Sequence, residues 1–453
     1  MSQPGLPASD QTQTLTENGE LTLSASADVL SMRWCYPIPV RPPLVLGTGK
    51  QTIGRDPSCD ASLASGHVSR VHAEIRRSAG VYVISDLESK NGIAVNGTRV
   101  EQAVLSPGDV VRIGDFVAVV TSSPPGVDLG FGAVTDATWG GYRHRATAAR
   151  ARALAATSMP IVLQGATGTG KELMARAVHA WSGRPGPFLA VNSAVYSRTM
   201  APAELFGFKK GAFTGAEQSS LGHVRSADGG TLFLDEILEL TLEVQAMLLR
   251  TLEMREVQPL GEMRPVPIDV RFIVATQVPL AEAVAAGRFR ADLRARLEGA
   301  VVELPPLCEC REIVPELLTE LYRRRLGKGA LELSAAVAEG LCIHPWPLNV
   351  RELDMLAGRL VARPSSERLE LADLELGPAL PAQQPARAEN ERPPTTPPVP
   401  GRRPSGAPYD AEELERLRAA LELHGGNVTK AVALLGITRQ RAYRMMQLLK
   451  PGA

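Results

Sequence analysis

The run Pro160-Ile161-Val162-Leu163-Gln164-Gly165-Ala166-Thr167-Gly168-Thr169-Gly170-Lys171-Glu172 decides the fold of the centre of this chain. Its opening residues are a short apolar run that stops at glycine, the pattern of a buried strand. Three glycines then permit a turn that residues with side chains adopt with difficulty. Beyond Lys171, the spacing of Leu173, Ala177 and Val178 predicts a helix with those residues on its apolar face. Buried strand, glycine-rich turn and a lysine at a helix start form the P-loop arrangement. Backbone N–H groups and the helix dipole cradle phosphate oxygens while Lys171 reaches the outer ones. The general pattern closes on Lys-Ser or Lys-Thr, and Glu172 departs from it.

Two further segments extend an α/β reading. Gly229–Glu236 is a second apolar strand ending in two acids. Asp235 would position Mg²⁺ and Glu236 would activate the attacking water, a division that suits phosphoryl transfer. Arg271–Ala275 reads as another strand, followed by Thr276-Gln277. Between the P-loop and the Asp-Glu strand stands Glu204–Ala216, ELFGFKKGAFTGA, an apolar tip held between glycines. An aromatic on such a loop tip marks a contact site.

The hexapeptide Gly211-Ala212-Phe213-Thr214-Gly215-Ala216 resembles the sigma-54-contacting loop of bacterial enhancer-binding proteins, AAA+ ATPases that activate transcription. The likeness covers about residues 165–356, and in that family the P-loop commonly ends in Lys-Glu. It implies that Asn192 restrains the catalytic glutamate until hydrolysis is licensed. Gln277 stands where the family usually has an Asn that senses the γ-phosphate. Gly287–Leu297 matches the arginine-finger segment, with Arg290 and Arg296 acting on a neighbouring subunit's nucleotide; this implies a homo-oligomeric ring, in the family usually a hexamer. Trp346–Leu353 resembles the sensor II motif, with Leu348 where Gly is usual and Arg351 reaching the nucleotide from a helical lid. Cys308 and Cys310 replace arginines of the family. The approach segment Gly132–Arg150 is less typical, and it leaves the adenine-contacting residues unassigned.

Upstream, Val81–Ile84, Ile93–Val95 and Val110–Val120 are rich in Val and Ile and separated by Asn-Gly and Asp turns, which predicts an all-β sandwich with functional loops at one end. Those loops carry Gly54-Arg55, Ser69-Arg70-Val71-His72 and Ser89-Lys90-Asn91-Gly92, and in this order they resemble a forkhead-associated (FHA) domain. Arg55 offers charge-assisted hydrogen bonds to phosphate, Ser69 a hydroxyl, and Arg70 and Lys90 positive charge. The resemblance implies a phosphothreonine ligand made by a Ser/Thr kinase, with Asn91 holding the peptide backbone and His72 bracing the loops.

Downstream, Asp410–Leu423, Asn427–Leu435 and Thr438–Leu449 read as helices punctuated by Gly425-Gly426 and Gly436, a helix-turn-helix pattern. It resembles the Fis-type module that ends many enhancer-binding proteins. Arg439, Gln440, Arg441 and Arg444 are its candidate contacts to double-stranded enhancer DNA.

The expected organisation is multidomain: a disordered tail (1–29), an all-β FHA sandwich (30–122), a linker (123–131), an α/β P-loop ATPase (132–304) with a helical lid (305–376), a proline-rich linker (377–408) and an all-α helix-turn-helix (409–453). With 49 Lys and Arg against 49 Asp and Glu, any DNA binding must come from a local basic patch. Five scattered cysteines and the absence of a long apolar run point to a cytoplasmic protein with no membrane partner. The partners implied are sigma-54 RNA polymerase holoenzyme, a phosphothreonine protein or its kinase, and further copies of the chain, with ATP and Mg²⁺ as cofactors. Two other readings stay open: a DNA-binding repressor with a residual ATPase fold, and an AAA+ remodeller of another protein.

Overall fold

A computed structural model describes residues 28–78, 80–196, 199–213, 216–326, 331–362 and 369–374, with residues 417, 418 and 445 beyond them. The expected disordered tail, save Asp28 and Val29, and the proline-rich stretch lie outside the described residues. So do Thr214, Gly215 and the four candidate DNA contacts Arg439, Gln440, Arg441 and Arg444.

The Val- and Ile-rich runs form a β-sandwich. Its principal strands are β1 (Val29–Tyr36), β2 (Ala73–Ser78), β3 (Val81–Asp86), β4 (Ile93–Val95), β5 (Val110–Ile113) and β6 (Phe116–Ser123). Strands β1, β6, β5 and β4 are successive antiparallel neighbours in one sheet, while β2 and β3 pair in the other. Period-two alternation sends Met32, Trp34, Ile75, Ile84, Ile113 and Phe116 between the sheets. The run Val110–Val120 is not one strand. Gly114, with φ of 59°, reverses the chain and splits it into the hairpin β5–β6. Strand β6 is buried on both faces: Phe116, Ala118 and Val120 point inward, and Val117 and Val119 enter a separate outer cluster.

The second body is a parallel sheet of β7 (Ile161–Gln164), β8 (Phe188–Asn192), β9 (Thr231–Asp235), β10 (Arg271–Thr276) and β11 (Val301–Glu303), in the spatial order β8-β9-β10-β7-β11. Because the strands are parallel, Gln164, Asn192, Asp235 and Thr276 all emerge at one edge, where ligands of such sheets bind. Helices α1 (Tyr142–Ala155), α2 (Lys171–Ser182), α3 (Leu242–Met254) and α4 (Ala291–Leu297) accompany the sheet. Helix α2 buries Met174, Ala175 and Val178, whereas Leu173 is 42% exposed and Ala177 only partly buried. Of the expected face Val178 is in the core as read, while Leu173 turns out of it and Met174 and Ala175 take its place.

A third core joins α5 (Val314–Leu326), α6 (Ala335–Ile343) and α7 (Asn349–Val361) through Leu317, Leu318, Val337, Leu341, Trp346 and Leu356. Cys310 is part of it, so this thiol fills the lid core. No helix of the described residues is long and apolar enough to cross a membrane.

Trp34 anchors the sandwich, 2% exposed and edge-on to Phe116 with ring centroids 6.1 Å apart. Trp34→Ala is expected to destabilise the sandwich by about 3–5 kcal/mol, read as an earlier urea midpoint for its unfolding.

Candidate nucleotide-binding and hydrolytic site

The P-loop leaves β7 at Gln164 and enters α2 at Lys171. Gly170, at φ 93°, caps the helix from the left-handed region. Lys171 is buried, and its Nζ donates to Gly165 O (2.8 Å) and Ala166 O (3.2 Å). Burial pulls this ammonium below its ordinary pKa, opposed by the charges of Asp235 and Glu236. Burial conversely raises the Asp235 carboxyl, opposed chiefly by Lys171. Each group therefore stabilises the charged form of the other. Glu172 ion-pairs with Arg176 on the exposed side of α2 (2.6 Å).

Glu236 sits just past β9 at φ 52°. Gln277 Nε2 donates to Glu236 Oε1 at 2.7 Å, while the Glu236 N–H binds Asp235 Oδ1 at 3.0 Å. Asn192 pairs with Asp235 in strand register, but its Oδ1 accepts from Ala194 N at 2.9 Å. In this structure the Glu236 carboxylate is thus held by the Gln277 amide, while the Asn192 side chain caps the turn that follows its own strand. Among the described residues no cluster of three or more acidic, His or Cys side chains is arranged to hold a metal alone. Asp235 beside a phosphate loop suits Mg²⁺, which binds through one or two carboxylates together with substrate phosphates.

Arg290 is drawn to Asp292 through Nε (3.0 Å) and Nη2 (2.7 Å), and Arg296 Nη2 lies 3.4 Å from Leu252 O. Arg351 is exposed at the start of α7, its Cβ 3.0 Å from where a Cβ on Gly168 would lie. The lid meets the P-loop through backbone and amide: Asn349 Nδ2 donates to Thr167 O (2.9 Å) and Val350 N to Gly168 O (3.1 Å).

The sequence reading left one wall unassigned. A cavity of about 120 Å³ opens beside Thr169 and Gly170, lined by Val134, Trp139, His144, Leu173, Leu317 and Val350. Leu173, turned away from the sheet core, belongs to this wall. Arg324 closes it over the Trp139 ring, 3.3 Å from the centroid. His144 is half-buried, but its Nδ1 is shielded from solvent with no hydrogen-bond partner, and desolvation, aided by Arg143 and Arg145, pushes its pKa down to about 4.

The loop Gly211–Ala216 is closed by Gly211 N→Ala216 O (2.9 Å) and Ala216 N→Phe213 O (3.0 Å). Phe213 is half-buried against Phe208, with ring centroids 5.0 Å apart. Lys209 N→Leu260 O and Leu260 N→Gly207 O stitch its base to the hairpin at residues 256–267, and Ala212 packs on Gly261.

At the open end of the sandwich, Arg55, Arg70, Lys90 and Asn91 are exposed and Ser69 half-buried. His72 is fully buried and braces two loops: its Nδ1 accepts from Ser69 N (3.1 Å) and its Nε2 contacts Gly92 O (3.1 Å). Ser69 Oγ accepts from Lys90 N (3.2 Å), and Asn91 Nδ2 donates to His67 O (2.7 Å). Gly54 is required here, since a Cβ would lie 2.1 Å from Arg70 O.

A β-sandwich fused to a P-loop α/β domain with a helical lid defines a nucleotide-binding module with an appended recognition module. Residues 142–303 match the family described as Sigma-54 interaction domain, 51–114 the FHA domain, and 411–447 the Bacterial regulatory protein, Fis family. The chain therefore has the domain make-up of a sigma-54-dependent transcriptional regulator with an FHA domain. It is 42% identical over 238 residues to the Sigma54-dependent transcriptional activator SfnR of Pseudomonas putida, covering 52% of this chain and 65% of that protein. It is 39% identical over 291 residues to the transcriptional regulatory protein ZraR of Escherichia coli, covering 63% of each chain. The chain thus spans a little under two thirds of the length of these relatives. Among solved structures it is similar to NtrX from Brucella abortus in complex with ATP, at 28% identity and a TM-score of 0.49, covering 70% of this chain and 69% of that one.

His144 titrates near 4 in the fold against about 6.5 in the unfolded chain. The unfolded state binds the extra proton between these values, so this contribution to stability is complete above pH 6.5 and falls as pH drops toward 4. Between pH 7 and pH 5 the protein should lose about 2 kcal/mol more than His144→Gln, seen as a larger fall in Tm.

Proposed function

We propose that this chain is an ATP-driven activator that remodels sigma-54 RNA polymerase at promoters and takes its input from a phosphothreonine-bearing protein. The observation that carries the hydrolytic part is the Glu236 carboxylate held by Gln277 at 2.7 Å, on the sheet edge that also bears the P-loop. Hydrolysis needs a base fixed beside a bound γ-phosphate, and an edge that sets Glu236 beside a P-loop supports that reading.

In this mechanism the backbone N–H groups of Gly165–Glu172 and the Lys171 ammonium hold the phosphates, Lys171 turning from the loop carbonyls to the ligand. Glu236 takes a proton from the attacking water, and Gln277 fixes its carboxylate while sensing the γ-phosphate. Asp235 would hold Mg²⁺, which when bound neutralises charge on the β- and γ-oxygens. Arg290 and Arg296 serve the neighbouring protomer's nucleotide, exchanging Asp292 and Leu252 O for phosphate as a ring, in this reading a hexamer, forms. Arg351 reaches in from the lid, and the cavity between Trp139, His144 and Leu317 takes the adenine ring. Asn192 acts at a distance, by fixing the strand end opposite Asp235.

Ligand state moves the loop Gly211–Ala216 through its stitched hairpin. Phe213 then exchanges Phe208 for sigma-54, with Thr214 beside it. Such a switch requires the loop to interact differently with the two nucleotide states. The FHA segment (30–122) binds phosphothreonine through Arg55, Ser69, Arg70, Lys90 and Asn91. The Fis-type segment (409–453) binds enhancer DNA through Arg439, Gln440, Arg441 and Arg444.

Transcription in vitro with sigma-54 holoenzyme, ATP and promoter DNA tests the reading, with open complexes expected only when ATP is hydrolysed. DNA binding without ATP turnover would instead indicate a repressor, and turnover without open complexes a remodeller of another protein. Glu236→Gln is expected to lower kcat about 10²–10⁴-fold while nucleotide still binds. Phe213→Ala should keep ATP turnover and lose open-complex formation. Arg55→Ala should weaken a phosphothreonine peptide by about tenfold or more in calorimetry, the loss of a charge-assisted hydrogen bond.

A further inference from the structure

An antiparallel sandwich ordinarily presents a polar outer face to water. The outer face of the β1–β6–β5 sheet is apolar: Cys35, Val110, Val117 and Val119 are buried against Ala338 and Cys342 of α6. Cys35 Sγ and Cys342 Sγ lie 3.6 Å apart, both fully buried. Around this patch the sandwich and lid exchange polar groups. Arg33, 2% exposed, donates to Leu129 O (2.6 Å) and Glu312 O and ion-pairs with Glu316 (2.6 Å). Arg112 pairs with Glu339 (2.7 Å), Tyr36 Oη donates to Leu333 O (2.6 Å), and Arg311 Nη1 donates to Gly108 O (3.3 Å).

The lid that receives the sandwich on one side grips the P-loop on the other. Asn349 bridges Leu307 N (2.7 Å) and Thr167 O (2.9 Å), and Val350 N binds Gly168 O. The phosphopeptide loops stand clear of this contact, since Arg55, Arg70, Lys90 and Asn91 are all exposed.

We propose that the FHA sandwich and the helical lid stay locked as one rigid body through the nucleotide cycle, so that a protein bound at the phosphothreonine loops acts on ATP affinity through the lid. The proposal rests on the nucleotide reading given above. Sliding the sandwich would strip the Arg33 guanidinium of its partners in a dry interface, where an unpaired charge is strongly unfavourable. It would also expose the apolar outer sheet. Rotating the lid instead carries the sandwich with it and spares these groups, disturbing the lid's contacts to the ATPase body at Thr167 and Gly168, at Trp139 and at Arg143. Coupling of this kind is reciprocal: whatever fixes the sandwich biases ATP binding, and ATP biases where the loops stand.

The test is alkylation of the full-length protein with iodoacetamide, read by mass spectrometry at Cys35 and Cys342, with fluorescent N-methylanthraniloyl-ATP binding measured alongside. In the wild type both thiols should stay equally protected without nucleotide, with ADP and with a non-hydrolysable ATP analogue. Arg112→Glu sets like charges against each other at the interface edge. It should raise labelling of both thiols at least tenfold and weaken the fluorescent nucleotide at least threefold, and R112E/E339R should restore both. Labelling of either wild-type thiol in one nucleotide state alone would overturn the proposal. Thiols exposed in R112E with unchanged nucleotide affinity would overturn it too, as would full protection and unchanged affinity in both R112E and R33A. A wild type that binds no fluorescent ATP refutes the nucleotide reading, while its labelling pattern still reports whether the sandwich stays docked.

Discussion

Residue 168 has no side chain, and the seat of the lid depends on that. A Cβ there would lie 2.0 Å from Leu348 O, and the φ of 79° already favours glycine. With hydrogen in its place, the start of α7 comes close enough for Val350 N to bind Gly168 O and for Asn349 to reach Thr167. Leu348 needs no glycine of its own: its φ is −102° and its side chain is 41% exposed, so only its carbonyl presses on the loop. The unusual backbone falls instead on Trp346 and Asn349, at φ 50° and 51°. Both are held by side-chain hydrogen bonds, Trp346 to Leu341 O and Asn349 to Leu307 N.

The chemistry at the sheet edge is built on opposed electrostatic demands. Lys171 and Asp235 are each disfavoured as ions by burial and each favoured by the other. Removing either member would leave the other a buried charge without its main compensation, so the two act as a unit. Glu236 carries the geometric counterpart, a left-handed backbone angle that costs of order 1–3 kcal/mol where the surroundings impose it. That strain falls on a half-buried residue whose carboxylate is tethered by one amide, which suits positioning.

Patterns that live within one segment were legible in the sequence. The apolar run at Ile161–Leu163, the glycines after it and the acids closing β9 each follow from local chemistry, as do the Asn-Gly and Asp turns of the sandwich. The place of Leu173 on α2 was misjudged because it is apolar for a cavity, not for the sheet, and periodicity counts the two alike. The wall of that cavity escaped notice because Trp139 and His144, Leu173, and Leu317 come from three separated stretches. Phe213 was read only as an aromatic tip marking a contact site, and the partner it has within the chain, Phe208 five residues earlier, comes into reach once the loop closes. One long-range feature did leave a local trace. Strand β6 lacks the alternation of a half-buried strand from Phe116 to Val120, which signals that its second face is covered, although nothing local says by what.

The covering lid helix lies more than 200 residues from β6 in sequence, and the path between them explains why the contact holds. The connector at 123–131 is tied down near its end, where Arg145 donates to Gly130 O (2.6 Å) and to Asp128 O, and Arg33 to Leu129 O. Holding residues 128–130 against both α1 and the sandwich shortens the free connector and limits the volume the sandwich can explore. The effective concentration of its outer face at the lid is therefore high, so the interface need not be strong to remain formed. A modest apolar patch and a few ion pairs then suffice for a contact that separate chains of the same area would not sustain. A partner at the exposed loops then acts on sandwich and lid together, and it can shift their common position only by as much as its affinity differs between the two positions.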